Sequence, residues 1–159
     1  MKPPLTKRGA FVSSKPPIGY VDVRVFAHAT EEPEKVLVAV RNILPLKLGE
    51  EGIFRKTSLT GHHGNPIVVF EKRLTDKKEL PLALKRIGER LNVLDKEALA
   101  GDLRRHLERH DLYLRFDKQA AFQGKMRFSR VDPVRFKVHF KGKSFGEIVE
   151  ICQKAGLLL

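Results

Sequence analysis

A chain of 159 residues with 42% hydrophobic and 31% charged side chains can bury one ordinary core, which excludes an intrinsically disordered chain and a pair of independent domains. Thirty-one Lys and Arg stand against 19 Asp and Glu, a net charge of +12, and this surplus favours a polyanionic partner, nucleic acid ahead of an anionic membrane. The one cysteine, Cys152, excludes an internal disulfide and a cysteine-based zinc site; no apolar run reaches the roughly 18 residues of a membrane span, and with no apolar leader after Met1 the expected compartment is the cytoplasm.

Residues 1–18 hold four prolines, four cations (Lys2, Lys7, Arg8 and Lys15) and no acid. Paired prolines favour extended, unpaired backbone, so the stretch reads as a basic arm, either laid along RNA or a mere tail, ahead of one domain over residues 19–159. From Tyr20 to Ala27 the chain alternates with period two, Val21, Val23 and Val25 on one face and Asp22, Arg24 and Phe26 on the other, as a half-buried strand requires. Thr30 is the expected N-cap of a helix with Glu31 and Glu32 in its first turn, Val36, Leu37, Val40, Ile43 and Leu44 at helical spacing, and an end between Asn42 and Pro45.

Two further strands are expected, about Ile53 to Leu59 and Ile67 to Leu74, joined by the turn-forming loop Thr60-Gly61-His62-His63-Gly64-Asn65-Pro66. Thr75 is the expected cap of a helix striped by Leu80, Leu84, Ile87 and Leu91, and Asp95 that of a second helix running to about His110. Then come three short alternating pieces, Leu112–Phe116, Met126–Arg130 and Val134–Phe140, read as an antiparallel meander with a greasy side and a cationic side. Between Arg104 and Lys143 twelve Lys and Arg face four acids, so the wet side of that meander is a plausible phosphate surface. A last helix, Phe145 to Ala155, is capped by Ser144 and turns Phe145, Ile148, Val149 and Cys152 inward. This order of strands and helices implies α+β: one mainly antiparallel sheet with helices packed over one face.

His62 and His63, with His28, invite a metal reading, but a loop dipeptide rarely aims both rings at one ion and no spaced carboxylate completes a set. No metal and no cofactor is therefore expected. The loop reads as a phosphate-contacting or hydrogen-bonding turn in which Gly61 and Gly64 let the backbone approach a ligand, or as a plain hairpin that needs them for its angles. His106 and His110 stand at i, i+4, but Arg104, Arg105 and Arg109 crowd them, so this stretch reads as a basic helix face. In Asp117-Lys118-Gln119-Ala120-Ala121, Asp117 can cap a turn while Lys118 and Gln119 donate to phosphate or base edges; Phe122 is either core or a stacking platform for a base. A ribonuclease using His62, His63 or His28 with Lys118 is the enzyme alternative; scattered histidines carry it weakly, and no P-loop, nucleophile elbow or carboxylate pair is present.

Three segments, VFAHATEEPEKVLVAVRNILP (25–45), GHHGNPIVVFEKRL (61–74) and LRFDKQAAFQGKMRF (114–128), together resemble the small archaeal RNA-binding proteins once described as predicted exosome subunits. The resemblance spans roughly Tyr20 to Lys143, and His28, Ala29, Thr30, Gly61, His63, Gly64, Asn65, Pro66, Asp117, Lys118, Gln119 and Ala120 match its motifs. It implies a fold similar to the ribosomal protein that binds 5S ribosomal RNA, and RNA binding rather than an established catalytic activity. The arm before Tyr20 and the helix after Lys143 depart from the pattern.

The expected function is binding of structured RNA, ribosomal RNA among the candidates, by a protein without catalysis that works in ribosomes or RNA processing. An exosome-associated adaptor that docks on protein is the alternative. The residues expected at the RNA are Lys2, Lys7, Arg8 and Lys15 of the arm; His28; His62, His63 and Asn65 of the loop; Arg104, Arg105 and Arg109; and Lys118, Gln119, Lys125, Arg127, Arg135 and Lys137.

Overall fold

Alternation along β1 (Tyr20–Ala27) sends every second side chain into the core, Val21, Val23, Val25 and Ala27 being at most 4% exposed. The computed structural model describes residues 17–45 and 54–159. Around β1 a six-stranded sheet assembles from β2 (Arg55–Thr60), β3 (Pro66–Leu74), β4 (Leu107–Glu108), β5 (Asp111–Phe116) and β6 (Val134–His139), in the order β2-β3-β1-β6-β5-β4. Every pairing is antiparallel. Helices α1 (Pro33–Ile43), α2 (Glu79–Arg90) and α6 (Phe145–Ala155) bury Val36, Leu37 and Val40, Leu80, Leu84 and Ile87, and Ile148 and Cys152 in one core with the apolar side of the sheet. Burial among these side chains pushes the Cys152 thiol up to about 12. The expected α+β layer is the one found.

Several local expectations give way to tertiary geometry. The middle strand of the meander is absent: β5 pairs directly with β6, and only Phe128 bridges back to Phe116. Beyond the two residues of β4, the outer edge of β5 receives the segment Arg127–Ser129 through Ser129 N to Arg115 O (3.0 Å) and Arg127 O from Asp117 N (2.7 Å). Met126 and Phe128 still point at the core, so their alternation was real although the ladder is one bridge long. The stretch read as a turn after Phe116 is a helix, α5 (Lys118–Phe122), closed by Gly124 at φ 80°.

The single helix expected from Asp95 to His110 is broken into α3 (Val93–Gly101) and α4 (Leu103–His106), and Arg109 lies in the β4–β5 turn with φ 59°. Asn92, not Asp95, caps α3, accepting from Asp95 N; the Asp95 carboxylate instead accepts from Phe128 N (3.0 Å) and fastens the chain that replaces the missing strand. Nor does Thr30 or Thr75 cap a helix. α1 starts at Pro33, and Asp76 accepts from the N–H groups of Lys78 and Glu79 before α2. Ser144 does cap α6, in a reciprocal capping box with Glu147.

Lys2, Lys7, Arg8 and Lys15 lie outside the described residues, as does Ile53 at the expected start of β2. Ile18, placed in the arm by its neighbours, is 1% exposed and belongs to the core. Among the described residues, no helix is long and apolar enough to cross a membrane.

Candidate nucleic-acid interface

The polar side chains of the same strands emerge on the face that carries no helix. Antiparallel register aligns them in rows. One row runs Arg55, Glu71, Arg24, Arg135, Arg115 across five strands. The next runs Arg73, Asp22, Lys137, Tyr113, and the one after it Tyr20, His139, Asp111. Six cations and His139 thus meet three carboxylates, and each carboxylate is already engaged. Glu71 pairs with Arg55 at 2.9 Å and Arg24 at 3.8 Å. Asp22 receives Arg73 through two nitrogens (2.7 and 2.9 Å), a hydrogen-bonded pairing that raises the Arg73 pKa. Asp111 lies 2.6 Å from His139 Nδ1.

Arg135 and Arg115 have no ion-pair partner among the described residues, and Arg135 stands between Arg24 and Arg115 on adjacent strands. Like charges directly opposite one another destabilise a sheet. The Nε atoms of Arg24 and Arg135 are also buried without a hydrogen-bond acceptor. Aromatic rings interleave with these cations: Arg73 lies 3.8 Å over Tyr20, Arg24 lies 5.1 Å from the Phe26 ring centre, and Arg115 and Arg135 flank Tyr113 at 5.4 and 5.7 Å. The Arg73 fork is taken by Asp22, whereas the planar guanidinium groups of Arg115 and Arg135 lie near a ring with no carboxylate partner among the described residues, which suits them to an anion.

Of the residues the sequence nominated, Arg135 and Lys137 belong to this face. His62, His63, Gly64 and Asn65 form the exposed β2–β3 turn at the end of the sheet where β1 finishes. Gly61 N to Asn65 O (2.6 Å) closes the turn, and Gly64 takes φ 78°, which supports the hairpin explanation for the glycines. Arg104, Arg105 and Arg109 sit at the opposite sheet edge and do not share one helix face: Arg104 covers the Phe145 ring (3.8 Å), Arg105 pairs with Asp102 (3.6 Å), and Arg109 occupies a turn. His106 and His110 diverge, to Tyr113 O and Lys143 O. Arg127 is exposed and bonded to Asp117 (2.9 Å), and Lys125 is exposed beside it.

Lys118 is a correction. It does not reach into solvent for phosphate; its side chain is 8% exposed and its ammonium donates to Phe26 O (2.7 Å), Glu31 (3.0 Å) and Asp132 (2.7 Å). Asp132, in the left-handed region at φ 45°, also meets His28 Nε2 at 3.1 Å, and Glu31 accepts from His28 N. His28, Glu31 and Asp132 have the donor types of a metal site, yet the cation they already surround is Lys118. Residues from two motif segments thus meet in a lock that joins the end of β1, the start of α1, α5 and the loop before β6. Arg24, Arg55, Arg73, Arg115, Tyr20 and Tyr113 were missed as site residues, although the period-two alternation that puts Arg24 and Arg115 opposite the core was visible.

A bare antiparallel face lined with arginines and aromatic rings over a helical layer defines a polyanion-binding α+β protein. A family model described as RNA binding matches residues 20–140. The RNA-binding protein PAB1135 of Pyrococcus abyssi is 31% identical over 137 residues, covering 85% of this chain and 88% of its own. The crystal structure of AF2318 from Archaeoglobus fulgidus (TM-score 0.71, 26% identity, 87% of this chain and 99% of that one) and the structure of Mth689 from Methanothermobacter thermautotrophicus (TM-score 0.70, 25%, 89% and 98%) share the fold. The chain belongs to this archaeal family of RNA-binding proteins.

Proposed function

We propose that this protein binds structured RNA on the open face of its sheet, holding phosphates between Arg24, Arg135 and Arg115, as a ribosome-associated or RNA-processing factor that acts by binding rather than turnover. The observation that carries the reading is the adjacency of those three arginines on neighbouring strands, two with buried Nε atoms lacking acceptors. A phosphate row met by the terminal guanidinium nitrogens relieves the repulsion, and the family match makes RNA the polyanion. The histidines support binding better than acid–base work. His62 and His63 are exposed at a hairpin tip with their rings stacked edge to face at 4.9 Å, and His28 is tied to Asp132.

A filter-binding titration of a structured RNA across a salt series tests the reading. Affinity should fall steeply with salt, with a slope of roughly 0.9 per phosphate contact. Ribosomal RNA and a transfer RNA serve as ligands, and crosslinking in cells followed by sucrose-gradient sedimentation assigns the assembly. Affinity indifferent to salt, or unaltered when Arg115 and Arg135 are both changed to Gln, would overturn the sheet face as the binding surface.

A further inference from the structure

Between α1 and α5 lies a groove of about 370 Å³ that plays no part in the sheet-face reading. Its walls are the aliphatic surfaces of Val36 and Ala39 and the ring of Phe122, and its rim carries the amides of Gln119 and Gln123. The size falls at the low end of sites that enclose small flat ligands. Its charges cancel in place: Glu31 faces Lys118 at 3.0 Å and Glu32 faces Lys35 at 3.2 Å. A phosphate gains nothing in such a site, whereas a neutral ring with a polar edge does.

Phe122 sets the groove apart. It is 44% exposed, while Phe116, Phe136 and Phe140 are at most 1% exposed. The other partly open phenylalanines have a cation or a ring against them, as Arg104 covers Phe145, Arg24 approaches Phe26 and Phe116 meets Phe128; among the described residues no cation or second ring lies against Phe122. Nor is the ring loosely mounted. Asp117 caps the short helix that carries it, and the Asn42 amide on α1 donates to Ala121 O (2.9 Å) and Phe122 O (3.2 Å).

We propose that this groove takes an unpaired nucleobase of the bound RNA, stacked on Phe122, with its edge hydrogen-bonded by Gln119 and Gln123. The inference rests on the RNA-binding reading and adds what that reading lacks, a preference for bulged or looped RNA over a continuous duplex. A carboxamide offers a donor pair and an acceptor on one plane, which matches the mixed edge of a base. Thr30 and Glu31, which line the groove, follow the end of β1, so a chain that leaves the arginine row along β1 past Phe26 and turns round that end of the sheet reaches it.

The test uses the full chain and two RNA duplexes that differ in one bulged 2-aminopurine. The wild-type protein should bind the bulged duplex about tenfold more tightly and quench its fluorescence, since each aromatic stack on a base is worth about that factor. Phe122→Ala and Phe122→Leu should erase both the preference and the quenching, yet leave the affinity for the continuous duplex and its salt slope unchanged; Phe122→Tyr should keep them. Circular dichroism confirms folding. Equal affinity of the wild-type protein for the two duplexes, or a preference that survives Phe122→Leu, would overturn the base site while leaving RNA binding intact. Failure to bind either duplex would remove the RNA-binding reading and this inference with it. A free-nucleoside arm completes the set: adenosine alone binding as tightly as the bulged RNA would overturn RNA as the source of the base.

Discussion

The molecule holds two concentrations of charge at opposite degrees of completion. At the end of β1, Lys118 finds a carbonyl and two carboxylates for its ammonium, and nothing is left to offer a ligand. On the open sheet face, Arg135 finds two other arginines and a tyrosine ring. A cation in a matching motif and a cation in a plain strand alternation have thus exchanged the roles that the motif would suggest. The number of counter-charges converging in space decides which cation meets a partner molecule. A self-contained ion cluster is a structural device; an unbalanced one is a surface in search of an anion.

The largest expected effect separates the two regions through stability. Lys118→Met leaves Glu31 and Asp132 facing each other, with the Phe26 carbonyl unpaired. Breaking a fully buried pair costs about 3–5 kcal/mol; because the carboxylates are 30% and 34% exposed, we expect about 2–3 kcal/mol, read from the urea midpoint. The salt slope of RNA binding should not change in the folded variant. A variant as stable as wild type would show that the cluster is solvated and that Lys118 can leave it for a ligand, and the contrast with Arg135 would collapse.

Changing Arg115 and Arg135 together to Gln should do the reverse. The salt slope should drop by about two, one unit for each phosphate contact, with a matching loss of affinity at low salt. Stability should stay level or rise by a few tenths of a kcal/mol, because like-charge neighbours on β1, β6 and β5 have been separated. A loss of stability with no change in slope would make these arginines part of the fold rather than of the interface.

This division explains what the sequence showed and what it hid. Period-two alternation in β1, β5 and β6 revealed both faces of the sheet, since each side chain's direction depends only on local geometry. The capping box at Ser144 was equally local. The row Arg24–Arg135–Arg115 was hidden because it joins Arg24 to Arg135, 111 positions further on, and register belongs to the assembled sheet. Lys118 was misplaced for the same reason: its partners Glu31 and Asp132 lie 87 and 14 residues away, and charge counts along the chain cannot see them converge. The lost strand at Met126–Arg130 has a pattern identical to a real one. In the structure α5 occupies the connection where a hairpin turn was expected, and the ladder stops at the single bridge between Phe116 and Phe128.

Asp117 lies between these extremes, on the surface but bonded, and gives the smallest and most specific test. Burial on its own would raise the carboxyl pKa, but the Arg127 guanidinium and the N–H groups of Ala120 and Gln119 outweigh it and hold the group below its ordinary value. The stabilisation is therefore complete above the unfolded value, near pH 4, and drains away as pH falls through the lower folded value. Asn is as good an N-cap as Asp, so Asp117→Asn removes the charge while keeping the cap. At neutral pH the variant should be less stable by under about 1 kcal/mol, as expected for a pair whose arginine is 62% exposed. Thermal melts should bring variant and wild type together as the pH is lowered from about 4 through the folded value, and high salt should narrow the gap at neutral pH. A gap that persists unchanged into strong acid would assign the effect to cap geometry, leaving Arg127 free of Asp117 and adding it to the unbalanced cations that face RNA.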